Sequence, residues 1–141
     1  MRYFDASALA KRYVQESGSA SVRQQLRTGR IATSRLSAIE VASALARRQR
    51  EGAFTTTERD RALNRLNADL AAWILVELTP DLASDAQQLL IRHGLRSGDA
   101  VQLASCLYLQ NETRERISFA AFDDRLTKAA RAEGLSVISF S

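Results

Sequence analysis

Short apolar runs of strand length alternate along the chain with longer segments whose apolar residues recur at helical spacing. Residues 2–4 form a brief β-like run that ends at Asp5. Over 6–15 the pattern turns helical, with Leu9, Tyr13 and Val14 on one face, until Gly18 and Ser19 break it. Residues 20–27 read as helix again, and 30–33 as a short strand. The segment 36–50 has a stripe of Val41, Ala44 and Leu45, with Ser37 near its start and Gly52 just past its end, the signals of a helix with defined limits. Thr55 and Glu58 stand at capping-box spacing before a helix that runs to about residue 71. WILVEL, 73–78, is the clearest buried strand. Pro80 opens a helix ending near Gly94, and Ser97 starts another that carries Val101, Leu103, Ala104 and Leu107. A strand over 117–121, a helix over 123–134 and a last strand over 136–140 complete the series.

Strands separated by helices imply βαβ crossovers, hence an α/β fold with a mostly parallel sheet covered on both faces. The 141 residues suit a single domain over 1–141. In such sheets ligands bind beyond the carboxyl ends of the strands. That rule selects three aspartates: Asp5 after RYF, Asp99 in SGDAV, and Asp123 after SFAAF. Each has a second reading as a helix cap or first-turn acid that satisfies free amides. Asp5 and Asp123 both follow a strand directly, so a parallel sheet puts them on the same rim.

Glu40 resists a purely structural account. It borders the apolar stripe of its helix, and its neighbours one turn away are Leu36, Ser37, Ser43 and Ala44, none of them basic. Carboxylates gathered at one place repel and call for positive charge. Oxygen donors without histidine or cysteine favour Mg²⁺ or Mn²⁺ over zinc. His93 sits at a helix end and reads as a cap, while Cys106 and Trp73 read as core.

Composition narrows the field further. Twenty Lys+Arg against 16 Asp+Glu leave a net charge of +4, and Lys11 and Lys128 are the only lysines. Arginine's planar fork pairs with phosphate, so a nucleic-acid partner fits, although arginines on solvated faces would give the same balance. No apolar run approaches the roughly 20 residues of a membrane span. The N-terminus carries no signal-peptide pattern, and a lone cysteine suits a reducing compartment, so the cytoplasm is expected. Glycine-rich phosphate loops, nucleophile elbows and paired-cysteine metal motifs are absent.

Four stretches in order resemble PIN-domain ribonucleases, most closely the VapC-type toxins of bacterial toxin–antitoxin pairs. They are YFDASALAKRYVQESGS, TSRLSAIEVASALARR, LRSGDAVQLASCL and FAAFDDRLTKAARAEGLSVI, and together they span essentially the whole chain. The resemblance implies a three-layer α/β/α PIN-like domain and Mg²⁺- or Mn²⁺-dependent endonucleolytic cleavage of RNA. It also implies a homodimer and a cognate antitoxin whose C-terminal segment covers the active-site groove. Asp5, Glu40, Asp99 and Asp123 fall on the family's acidic metal-binding positions, Asp123 rather than Asp124 because the last motif spaces its Asp and Leu as Asp123 and Leu126 do. Ser7 matches a small hydroxyl residue after the first aspartate, and Arg96 and Asp124 are supporting candidates. One position departs: members often carry Thr or Ser where this chain has Ala121. Arg12, Arg47 and Arg96, close to the motifs, are the candidates for holding an RNA backbone.

Two other readings are open to the residues. A phosphoacceptor receiver domain also gathers acids around Mg²⁺, but it needs an acidic pair after its first strand, where Asp5 stands alone. A non-catalytic binding module of the same fold would have no need of all four acids.

Overall fold

The computed structural model describes residues 1–140. Five strands form one parallel sheet in the order β3-β2-β1-β4-β5. They are β1 (Arg2–Phe4), β2 (Ile31–Ser34), β3 (Ile74–Val76), β4 (Ser118–Ala120) and β5 (Ser136–Val137). The helices are α1 (Ala6–Tyr13), α2 (Ser19–Gln25), α3 (Leu36–Arg50), α4 (Thr56–Ala72), α5 (Pro80–His93), α6 (Ser97–Thr113) and α7 (Asp124–Ala132).

This order explains the layers. The chain steps outward from β1 through β2 to β3, then returns across β1 to place β4 and β5 on the other side. Crossovers between parallel strands are right-handed, so reversing direction puts the connecting helices on the opposite face. Helices α1 to α4 accordingly pack one face with Leu9, Val22, Val41, Leu45, Leu66 and Leu70. Helices α5 to α7 pack the other with Leu82, Leu89, Leu103, Leu109, Leu126 and Ala130. The strands serve both cores by alternation: Tyr3 and Phe119 point to the second, Phe4 and Ala120 to the first. Tyr3 and Phe119 are also register partners, and their rings stack at 5.7 Å. The expected three-layer α/β/α arrangement is present, and its sheet is entirely parallel.

Two expectations need correction. WILVEL is not the most buried strand: only Ile74–Val76 pairs, at the sheet edge beside β2, and Leu78 is exposed. Trp73 ends α4 as its C-cap and is only partly buried, packed against the first core. The last strand is two residues long rather than five, because β5 pairs with β4 only through Ser136 and Val137. The Thr55–Glu58 capping box forms in both directions. Cys106 is buried, and burial pushes its thiol well above the ordinary range. His93 bonds across to Glu133 at 2.6 Å, tying the end of α5 to the end of α7. Among the described residues, no helix is long and apolar enough to cross a membrane.

Candidate active site

The reversal of direction falls between β1 and β4, and in open parallel sheets the crevice at such a point takes the ligand. Asp5 stands there. Its backbone N–H extends the pairing to the Ala120 carbonyl, and its side chain caps α1 by accepting from Ala8 N–H at 2.8 Å. The Ser7 hydroxyl donates to the same carboxylate at 2.9 Å. The cap reading and the site reading of Asp5 are therefore compatible, since one oxygen does most of the capping.

Asp5 is only 2% exposed. Burial pushes its carboxyl up to about 7, against the hydrogen bonds from Ala8 and Ser7, and the nearby Asp99 and Glu40 carboxylates add to the rise. Asp99, in the first turn of α6, is also raised, by burial first and then by Asp123, with Arg96 opposing. Arg96 is 82% exposed and spans the outer acids, 3.6 Å from Asp99 and 3.9 Å from Asp123. Among the described residues no basic side chain forms an ion pair with Asp5 or Glu40.

Asp5, Glu40 and Asp99 line one cleft of about 350 Å³ with Ser7, Arg96, Gly98 and Gln102. Asp123 and Asp124 do not line it. They border an adjoining depression that shares Arg96 and Asp99. Asp123 caps α7 through Leu126 N–H, and Asp124 is an exposed first-turn residue. Phe122, which precedes Asp123, is held between Phe140, stacked at 4.4 Å, and the Lys11 ammonium, 4.5 Å from its ring centre. Gly18, at φ +91°, packs so closely that a Cβ there would lie 2.9 Å from the Phe122 ring.

A third groove, between α1 and α3, opens from Ser7 and Glu40 and has Arg47 and Arg48 at its far end. Of the arginines suggested by sequence, Arg96 and Arg47 thus lie along the acidic surface. Arg12 does not: it pairs with Asp69 at 2.8 Å and lines a separate depression with Arg23, Arg61 and Arg65.

Sequence reasoning missed Gln102 and Gly98. Gln102 donates to Glu40 at 3.1 Å, so Glu40 has a partner from α6 although none is available on its own helix. The available signal was a long polar side chain within the otherwise apolar and small run of α6. Gly98 matters because a Cβ there would lie 2.9 Å from the Glu40 carboxylate.

The donors are carboxylates alone, and the innermost is buried beside two others of like charge. Such a set fits a hard divalent cation. As the side chains stand, no three acid, histidine or cysteine groups among the described residues converge tightly enough to share an ion. Arg96 stands between the two outer acids.

A parallel α/β sheet with acids gathered at its switch point defines a class of acidic-site α/β proteins. A model of the PIN domain matches residues 2–132. Ribonuclease VapC45 of Mycobacterium tuberculosis is 38% identical over 137 residues, covering 96% of this chain and 92% of the relative. The chain belongs to the PIN domain family, among its VapC ribonucleases. Solved structures share the fold, and two illustrate it. VapC20 of Mycobacterium tuberculosis, a toxin that cleaves the sarcin–ricin loop, has a TM-score of 0.69 at 18% identity, with 96% of each chain covered. A toxin–antitoxin complex from Klebsiella pneumoniae has a TM-score of 0.65 at 16% identity, covering 99% of this chain and 97% of the other.

Proposed function

We infer that this protein is a Mg²⁺- or Mn²⁺-dependent endoribonuclease and the toxin of a toxin–antitoxin pair. The observation that carries the reading is the buried Asp5 carboxylate, raised chiefly by its burial and further by Asp99 and Glu40, at the switch point of the sheet. Kinship to VapC ribonucleases supports RNA as the substrate.

Asp5, Glu40, Asp99 and Asp123 would hold the cation. A divalent ion there supplies a lowered pKa for water and offsets charge building up on the phosphoryl oxygens. Ser7 and Ala8 N–H fix the Asp5 carboxylate, which would otherwise turn under repulsion from its neighbours. Arg47 along the α1–α3 groove, and Arg96 on the other side, would hold phosphates on either side of the scissile bond, while Arg48 is paired with Glu16. Water adds to phosphorus in line with the departing 3′ oxygen, leaving a 5′ phosphate and a 3′ hydroxyl. A carboxylate of the cleft accepts a proton from the attacking water, and solvent protonates the departing 3′ oxygen.

The same reading makes the protein a cytoplasmic homodimer with a cognate antitoxin. The Klebsiella pneumoniae complex of the same fold supports the antitoxin. The direct test is cleavage of a mixed cellular RNA pool by the wild type and Asp99→Asn, each with Mg²⁺, Mn²⁺ or EDTA. Cuts that need metal and vanish in a folded Asp99→Asn protein are expected. Full cleavage by that variant would remove Asp99 from the site, and cleavage undiminished in EDTA would remove the cation.

A further inference from the structure

A chain of buried hydrogen bonds runs beneath the acidic cleft, and its polarity can be assigned atom by atom. The Thr33 hydroxyl lies 2.7 Å from the Phe4 carbonyl, which can only accept, so Thr33 donates. The Ser37 hydroxyl lies 2.7 Å from that of Thr33, and because the Thr33 proton is already used, Ser37 donates to Thr33. Ser37 must then accept from Gln102, whose Nε2 stands 3.0 Å away. The second Nε2 proton of Gln102 points to Glu40 Oε1 at 3.1 Å. At the other end of the amide, Gln102 Oε1 accepts from the Tyr3 hydroxyl at 2.6 Å.

A glutamine amide could otherwise flip and aim its oxygen at Glu40, where it would repel the carboxylate. Here the Phe4 carbonyl, acting through Thr33 and Ser37, permits a single orientation with the NH₂ toward Glu40, and the Tyr3 hydroxyl, which can donate or accept, completes it by donating to Oε1. Tyr3, Thr33, Ser37 and Gln102 are all at most 1% exposed, so water does not compete for these bonds. One turn earlier on α6, Gly98 leaves the space that the Glu40 carboxylate occupies. The network also starts at the carbonyl of the residue before Asp5, and so couples the end of β1 to Glu40.

We propose that Gln102, oriented through Thr33 and Ser37 and held at its oxygen by Tyr3, and Gly98 are positioning residues that fix the Glu40 carboxylate toward the cleft. This rests on the metal-dependent nuclease reading above. Neither residue touches the reacting atoms, and both act through Glu40.

The test uses the full chain with Gln102→Leu, Tyr3→Phe, Gly98→Ala and Glu40→Gln, and the double variant of Gln102→Leu with Glu40→Gln. Mn²⁺ affinity is read by calorimetry, kcat and KM on RNA, and the thermal midpoint by circular dichroism. Gln102→Leu should weaken Mn²⁺ binding on the order of 10-fold, as loss of an outer-shell partner does. It should lower kcat comparably with KM nearly unchanged. Tyr3→Phe moves both in the same direction by less. Gly98→Ala should lose Mn²⁺ affinity although alanine is the better helix former, a loss that a purely structural role does not predict. On the Glu40→Gln background, Gln102→Leu should add no further loss of Mn²⁺ affinity.

Wild-type Mn²⁺ affinity in all three single variants, with Glu40→Gln weakened, would overturn the proposal and leave the nuclease reading standing. So would a Gln102→Leu effect undiminished on the Glu40→Gln background. A wild type that neither binds Mn²⁺ nor cleaves RNA would take both down. If Gln102→Leu fails to fold, Tyr3→Phe and Gly98→Ala decide, since they remove one hydroxyl and add one methyl.

Discussion

Replacing Asp5 by Asn should make the protein more stable in EDTA, and only above acid pH. The carboxyl has an ordinary value of 3.8 and is pushed up to about 7 in the folded chain, chiefly by burial. Below pH 3.8 it is protonated in both folded and unfolded chains and contributes nothing. Between 3.8 and 7 the folded chain holds more protons than the unfolded one, so stability falls as pH rises. Above 7 the loss is complete, and three units correspond to about 4 kcal/mol as an upper bound. Asn keeps an oxygen for the Ala8 N–H, and Asn is as good a helix cap as Asp. Its amide can donate to Ser7, at a cost of about 1 kcal/mol for the bond that Ser7 donates in the wild type. The net gain at pH 8 is then about 3 kcal/mol, or roughly 10 °C in Tm for a chain of this size. Thermal unfolding of both proteins in EDTA, followed by circular dichroism from pH 3.5 to 8, measures it. At pH 3.5 the variant should be the less stable by about 1 kcal/mol, and the two curves should cross and then diverge as pH rises. Adding Mn²⁺ should then raise the wild type more than the variant, by about 2.7 kcal/mol at one hundred times the dissociation constant. An Asp5→Asn protein no more stable than wild type at pH 8, or a difference independent of pH, would refute the claim that an ionised, crowded carboxylate sits there.

Two further outcomes follow from local geometry. Thr55→Ala removes the side-chain half of the capping box on α4 and should cost about 1 kcal/mol, seen as a lower urea midpoint with unchanged slope. The thiol of Cys106 is buried and pushed up by that burial, so it should stay unreactive to a thiol reagent at pH 8 until the chain unfolds. Rapid labelling of the folded protein would contradict the packing of α6.

The elements were legible in the sequence because their signals are local. Capping pairs, proline at a helix start and glycine at a helix end bracket α4 and α5 within a residue or two. What escaped was whatever depends on pairing across the fold. WILVEL looks like a central strand, yet its burial depends on its neighbours in the sheet, and β3 has β2 on only one side. Five apolar-leaning residues at the C-terminal end suggest a strand, but register with β4 uses two of them. Glu40 stood out as an acid without a local partner. That partner, Gln102, is 62 residues away, and the Tyr3 hydroxyl that donates to Gln102 is 99 residues from it.

The aspartates show why cap and site readings need not compete. A strand that ends a parallel sheet feeds directly into a helix, so the residue at the junction is both the N-cap and the outermost group at the carboxyl edge. Asp5 and Asp123 occupy such junctions and cap their helices. Capping satisfies amides from one carboxylate oxygen and holds the group still, which leaves the other side facing the crevice. Asn would cap α1 equally well, so helix stability alone gives no reason for an acid at position 5. The buried charge there carries a stability cost that capping does not require, and that cost is the physical ground for assigning Asp5 to a site.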